Sequence, residues 1–391
     1  MQLTESAGTV FAVLADAGAA TRPQLALRAG LSKPTVSTAV AELESAGLAA
    51  RSGTSYGGMG RSAAVYGLGR AAGTVLAIDL GSTHTEVRGC ALDGTVLATR
   101  STDGDPSPRE AVRAVLDSLP GAMVRAAVIA VPDVASVRDG APPRPATPRV
   151  AAAVEALELP PDIPVHVENN VNCAALAELH EGAARGRDTF GYLQVGYGIG
   201  LGLVVGGQVL RGANGAAGEI ARLPYPWADG RDSVHEGLEA YAGARSLLRR
   251  AEAAWQPADG PCPRTAEELF ALASAGGASS GSGVPTGAAR TAGAPAGQAR
   301  AAEFVAAHAR EVGRLAAAVA AVLDPGLIVL GGGIGANPQL LPGVRAELAR
   351  LSWPTEAVSS MVGESGTVAG ATRLAVARGV RTVTGGEGSG H

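Results

Sequence analysis

The sequence predicts a small winged helix-turn-helix module followed by a two-lobed α/β body. Three observations predict it. Residues 21–47 read as two short helices joined by a tight glycine turn. Glycine-bearing strand turns recur through the rest of the chain, around Gly81, Gly198 and Gly332. The length of 391 residues exceeds one typical domain and suits a small module plus two lobes. The expected boundaries are 1–70 for an all-α winged helix-turn-helix domain, 71–382 for the α/β body, and 383–391 for a disordered tail.

In the first module, Val10, Phe11, Val13 and Leu14 form an apolar stripe at helical spacing, which predicts a helix over residues 5–17. Thr21 with Gln24 three residues later is a capping-box signature for a second helix, and Pro23 is tolerated in its first turn. Gly30 supplies the left-handed position that ends that helix, and Ser32 caps the next. Val36, Val40 and Leu43 then share one face and are expected to be buried. The opposite face presents Lys33, Thr35, Ser37 and Thr38 near the helix N-terminus, the end that reaches base edges in such modules. Lys33 is the only lysine in the chain.

Beyond Gly47-Leu48, residues 51–69 read as a glycine-tipped hairpin, with Ala63, Val65 and Tyr66 on the return arm. The hairpin is a wing, and Arg61 stands where it would meet a minor groove or a phosphate. The expected partner is double-stranded DNA; a helical protein-interaction module is the alternative. The module is only weakly basic, so one copy would bind weakly, and a dimer on a two-fold operator is the natural remedy.

Composition bounds the rest. Hydrophobic residues make up 46% of the chain, enough for a core, but aromatics make up only 3%, so Ala, Val and Leu must fill it. A net charge of −4 argues against the body itself binding nucleic acid. Cys90, Cys173 and Cys262 are too dispersed for a disulfide framework, which fits a reducing cytosol. No long apolar run or basic signal segment appears, so a cytoplasmic protein with no membrane partner is expected. Residues 274–300 are low in complexity and read as a flexible insertion.

In the body, residues 74–95 run strand, glycine turn, strand: Asp79 closes an apolar strand, and the segment from Gly81 to Thr83 lets backbone approach a phosphate. A second hairpin spans 190–212, with glycines including Gly198 and Gly200 at its bend. A third strand runs into Gly331-Gly332-Gly333 and then a helix. Each alone is weak, because glycine turns beside strands are more often structural.

Their order resembles that of the ROK family (repressors, open reading frames and sugar kinases) over residues 70–380. The carrying motifs are Asp79-x-Gly81-x-Thr83, VENNVNCAALAE at 167–178, GYGIGLG at 196–202, RGANGAAGEI at 211–220, GLEAYAG at 237–243 and LDPGLIVLGGG at 323–333. With the winged module in front, the chain resembles the repressor branch. The resemblance implies an actin/hexokinase-like (ribonuclease H-like) fold, a sugar held between two α/β lobes, and a homodimer or homotetramer. It implies sugar contacts at Asn169, Asn170, Glu219 and Glu239, and a nucleotide site, vestigial here, at Asp79, Gly81, Thr83, Gly198, Gly200, Gly332 and Gly333.

Departures from the family pattern bear on activity. Where its kinases carry the aspartate that takes the sugar's proton, this chain has Asn170. An amide holds a hydroxyl but cannot accept its proton, and losing a general base removes about 10²- to 10⁴-fold in rate. Ser82 and Tyr197 replace a glycine and a threonine of the phosphate loops. The family's zinc ligands are replaced by Arg222 and by a cysteine-free segment at 230–237; His235, Glu236, Asp229 and Asp232 make a poor substitute set, so no metal and no cofactor is expected. Arg222 also stands at a sugar-contact position, where it would favour an anionic ligand such as a sugar phosphate or acid. The expectation is a repressor of carbohydrate-related genes with a catalytically inactive, sugar-sensing body. The alternatives are a bifunctional kinase-regulator and a ligand-independent DNA-binding protein.

Overall fold

The computed structural model describes residues 2–56, 62–81, 84–103, 107–121, 123–136, 144–223, 238–275 and 296–385. They fall into two compact units: Met1–Ala174 with Ala213–Gly215 and Gly366–His391, and Ala175–Gly212 with Ala216–Ser365.

The first unit begins with α1 (Glu5–Ala17), α2 (Arg22–Ala29) and α3 (Lys33–Ser45). Local chemistry places each boundary. Thr4 caps α1; the Gln24 side-chain oxygen accepts from the Thr21 N–H and hydroxyl at 2.9 Å each; Gly30 ends α2 at φ +66°; and Ser32 accepts from the Thr35 N–H to start α3. Val10, Phe11 and Leu14 of α1 pack with Val36, Val40 and Leu43 of α3. The carboxylate of Glu42 accepts from the Thr4 N–H (2.9 Å) and hydroxyl (2.6 Å), tying the two helices. Those two bonds hold the Glu42 carboxyl below its ordinary range. The wing forms as β2 (Ala49–Tyr56) against β3 (Ser62–Leu68), and β1 (Ala20–Thr21) joins β3 to give a three-stranded sheet. Arg61 lies outside the described residues.

Behind this module stands a five-stranded sheet of β4 (Thr74–Leu80), β5 (His84–Ala91), β6 (Val96–Asp103), β7 (Val124–Val131) and β10 (Val165–Asn169), in the order β10-β7-β4-β5-β6. The ribbon β8 (Ala135–Ser136) with β9 (Arg144–Pro145) follows β7. Helices α4 (Pro108–Ser118), α5 (Pro148–Glu155) and α6 (Asn170–Glu181) complete the connections, the last crossing into the second unit. Every residue of β4 is buried, as expected of a central strand covered on both faces.

The winged module is not a bead on a string. Its Val10, Leu14 and Val40 share one core with Val75 and Ala77 of β4 and with Val368, Ala371 and Ala375 of α13 (Gly366–Thr384). The Arg125 guanidinium donates to the carbonyls of Ala71 (2.6 Å) and Ala72 (3.0 Å) at the join. A Cβ on Gly8 of α1 would stand 3.6 Å from the Thr384 side chain, and one on Gly370 would collide with the Cys173 carbonyl of α6. Helix α13 therefore touches both α1 and the start of α6.

In the second unit β11 (Phe190–Val195), β12 (Ile199–Val205), β13 (Gln208–Val209), β14 (Leu327–Gly331) and β15 (Glu356–Ser359) form a sheet ordered β13-β12-β11-β14-β15. In both sheets three antiparallel strands in sequence order are followed, from the first of them, by two parallel strands. The body is thus one topology used twice, the arrangement expected of the two-lobed body. Helices α7 (Leu238–Ala242), α8 (Ala244–Ala254), α9 (Ala266–Ser274), α10 (Ala296–Leu323), α11 (Gly332–Gly335) and α12 (Leu341–Leu351) pack around the second sheet. Helix α10 begins at Ala296, inside the stretch expected to be an insertion, because Ala301, Val305 and Ala309 restore a helical period there. Helix α13 likewise runs to Thr384, into the expected tail. Among the described residues no helix is long and apolar enough to cross a membrane.

A charged cluster braces α10. Glu311 accepts from the Tyr241 hydroxyl (2.5 Å) and from both Arg250 terminal nitrogens (3.3 and 3.2 Å), with His308 Nδ1 3.7 Å away. Burial pushes the Glu311 carboxyl up, but His308, Tyr241 and Arg250 outweigh it and hold the group below its ordinary value. A lowered folded-state value means the carboxylate stabilises the fold above its ordinary titration range and loses that contribution as pH falls through the lowered value. Glu311→Gln should cost about 1–3 kcal/mol at pH 7. The gap in melting temperature to wild type should narrow at pH 3.5; a constant gap would mean the charge contributes nothing.

Candidate functional site

On α3 the residues expected to meet DNA stand together. Lys33, Ser37 and Thr38 are exposed and Thr35 is half-buried, while Val36, Ala39, Val40 and Leu43 face inward. The Thr35 and Ser32 hydroxyls lie 2.7 Å apart, and Thr38 bonds back to the Pro34 carbonyl. Lys33 has no ionic partner among the described residues. Arg22 is engaged instead, 4.8 Å over the Tyr66 ring and 3.6 Å from Glu44.

In the first unit's sheet the parallel strands β4, β7 and β10 end side by side, and ligands of open α/β sheets bind at carboxyl ends. Asp79, Asp133 and Asn169 all lie there. Asp79 is buried at 3% exposure, with His84 Nε2 3.3 Å from its carboxylate. Asp133 accepts from the Val134 N–H and from both the N–H and the hydroxyl of Thr147. Asn169 caps α6: its side-chain oxygen accepts from the N–H groups of Val171 (2.8 Å) and Asn172 (3.2 Å), and its amide donates to the Asp133 carbonyl (3.1 Å). Its side chain thus fixes the junction of β10 and α6. Asn170, first residue of α6, is half-buried and has no hydrogen-bond partner among the described residues, leaving its amide available to a hydroxyl. Gly81 directly follows β4; Ser82 and Thr83 lie outside the described residues.

In the second unit Gly198 lies in the β11–β12 bend and Gly200 near the start of β12, and Gly332 and Gly333 open α11 after β14, which pairs with β11. Gly332 has φ +80°, and a Cβ there would stand 2.6 Å from the Val195 carbonyl, so only glycine lets the two turns approach. Glu239, in α7, accepts from the Ile199 N–H (3.2 Å) and so secures the β11–β12 bend. Glu219 is half-buried ahead of the 3-10 turn Ile220–Arg222, whose backbone holds Arg222. Asn169 and Asn170 belong to the first unit; Glu219, Arg222 and Glu239 belong to the second. Asp229, Asp232, His235 and Glu236 lie outside the described residues. Among the described residues no group of three or more His, Cys, Asp or Glu could hold a metal ion.

Two residues escaped sequence reasoning. His84 lies on Asp79, a proximity that their short separation in sequence could have suggested, since His84 opens the strand that pairs with β4. Arg245 stacks 4.4 Å over the Tyr197 ring, across 48 positions of chain, and carries no local signal.

Comparison with known proteins adds ancestry to this geometry. Residues 75–378 match the ROK family, and residues 1–57 match the MarR family. The chain is 29% identical over 304 residues to the bifunctional enzyme NanE/NanK of Brucella melitensis, covering 73% of this chain and 50% of that protein. It thus spans about half the length of the first curated relatives it matches. It is 31% identical over 90 residues to the xylose repressor of Bacillus subtilis, covering 22% of this chain and 23% of that one. The crystal structure of a ROK family transcriptional regulator, a homolog of the E. coli MLC protein, superposes with a TM-score of 0.69 at 20% identity, covering 97% of this chain and 98% of the other. That likeness shows that winged module and body share a fold with it from end to end. With the family matched across most of its length and both sheets of the body repeating one topology, the chain belongs to the ROK family.

Proposed function

We propose that this protein is a DNA-binding transcriptional regulator, a repressor of carbohydrate-related genes, whose body binds a sugar or sugar derivative without phosphorylating it. One observation carries the reading: the winged module and the first sheet share a continuous core, so a change in the body reaches the DNA-reading helices through packed side chains. Asn170 begins α6, α6 abuts α13 at Gly370, and α13 packs on α1 at Gly8. An effector binding two states of the body unequally then shifts the population that fits DNA. Asn169, Asn170, Glu219, Arg222 and Glu239 are the proposed sugar contacts, and Lys33, Thr35, Ser37, Thr38 and Arg61 the proposed DNA contacts. The modest basicity of the module argues for two or more copies on a two-fold operator.

Asn170 supports the absence of phosphoryl transfer, since its amide has no lone pair basic enough to take a hydroxyl proton near neutral pH. The test begins with selection of bound sequences from a random DNA library. Anisotropy titrations of the selected duplex follow, with glucose, xylose, N-acetylmannosamine and glucose 6-phosphate added in turn. At least one should change the DNA affinity about tenfold or more. A coupled assay with ATP and the same sugars should show no turnover. Turnover that disappears in Thr83→Ala would overturn the non-catalytic reading, and failure to select any sequence would overturn the regulator.

A further inference from the structure

A polar chain runs from the start of α6 to α13 through a core that is otherwise apolar. His166 and Glu168 are two residues apart, so they share one face of the edge strand β10, opposite Val128 and Ala130 of β7. Val128 and Ala130 belong to the core that α13 and the winged module also enter. Both His166 and Glu168 are buried there. Glu168 serves α6: its Oε1 accepts from the Asn169 N–H and from the Asn172 side-chain amide, each at 3.0 Å. His166 serves α13: its Nε2 lies 3.2 Å from a terminal nitrogen of Arg378 and 3.9 Å from Glu168 Oε2. A guanidinium can only donate, so the ring nitrogen is the acceptor of that bond. Further along α13, Thr382 donates to the Arg125 carbonyl, and Thr384 stands beside Gly8 of α1. Every residue of this path belongs to the first unit.

We infer that Glu168, His166 and Arg378 form the joint that makes the first turn of α6 and the winged module move together. The inference rests on the sensor reading and names the residues that carry its coupling. Apolar contacts are non-directional, so faces packed by them alone can slip past one another. Hydrogen bonds to charged groups are short and directional. A shift at Asn169 and Asn172 therefore turns the Glu168 carboxylate, and with it the ring and the guanidinium that press on α13. Stability alone does not call for such a chain, because well-packed apolar residues in place of a buried charged network are often as stable. Its position is what gives it a use: Asn170, the proposed effector contact, lies between the two asparagines that Glu168 holds, and α13 packs on α1.

Coupling is reciprocal, so DNA itself can serve as the probe and the effector need not be known. Hydrogen–deuterium exchange is followed on the full chain at residues 170–174, with and without the duplex selected from the random library. In the wild type, DNA should change exchange there by about fivefold or more. In Arg378→Met and His166→Leu the change should fall below about twofold, although both still bind the duplex. His166→Gln, whose amide oxygen can accept from Arg378, should restore most of it, which a residue that merely fills space would not do. Thermal melts establish folding; if His166→Leu does not fold, Arg378→Met, at the half-buried end of the chain, decides alone. Two unfolded variants would make the chain a structural brace and overturn the proposal. So would a wild type that binds DNA without any change at 170–174, or folded variants that keep the change in full. Sugar titrations run in parallel separate the two readings. A DNA-induced change at α6 with no sugar response sinks the sensor reading alone, and a sugar response that persists undiminished in folded Arg378→Met sinks the joint alone.

Discussion

Glu178→Leu is expected to lower the melting temperature of the second unit by about 10 °C or more, the largest effect of any single substitution considered. Glu178 has 0% exposure, yet its carboxylate is fully engaged. It accepts from the N–H groups of Ala183 (2.6 Å), Met361 (3.0 Å) and Val362 (3.3 Å) and from the Ser360 hydroxyl. One carboxylate therefore ties the end of α6 to the segment after β15. Leucine removes the acceptor and leaves buried donors without partners, at about 3–5 kcal/mol in total. Burial, and after it the Glu178 charge, push the neighbouring Tyr192 hydroxyl above its ordinary titration range. A differential scanning measurement decides the matter: a shift within about 2 °C of wild type would mean that these donors find other partners.

Ser37→Glu should abolish DNA binding while leaving the melting temperature unchanged. Ser37 is exposed on α3, one turn beyond Lys33, and buries nothing that holds the three helices together. A carboxylate on that face would meet the phosphate backbone, and like-charge juxtaposition costs several kcal/mol, or about a hundredfold or more in affinity. Lys33→Ala supplies the graded counterpart. Its affinity loss should be smaller, and the slope of log K against log salt should fall by up to about one unit for the phosphate contact removed. If Ser37→Glu binds the selected duplex normally, the DNA-facing surface lies elsewhere on the module.

How much of this was legible in advance depended on how local each determinant is. The boundaries of α1, α2 and α3 followed from Thr21, Gln24, Gly30 and Ser32, because caps and left-handed turns act within four residues. The buried faces of α3 and β4 followed from their spacing for the same reason. Residues 274–300 read as an insertion for their low complexity and lack of a hydrophobic period, yet α10 covers 296–300 because its long continuation buries Ala301 and Val305. The motif at 167–178 marks Asn169 as a candidate sugar contact; that its oxygen also caps α6 is visible only once β10 and α6 are joined at that residue.

By itself the chain determined which residue types are present to do chemistry: an amide at 170, a phenol at 197, and one lysine at the head of α3. It also determined the local elements on which they stand. Tertiary structure alone decided that α13, from the far end of the chain, would weld the winged module to the first sheet, and that Arg245 and His84 would settle on Tyr197 and Asp79. The reason is physical. Caps, turns and periodicity are encoded by neighbours along the backbone, but contacts across tens or hundreds of residues arise from the burial that the whole fold makes available.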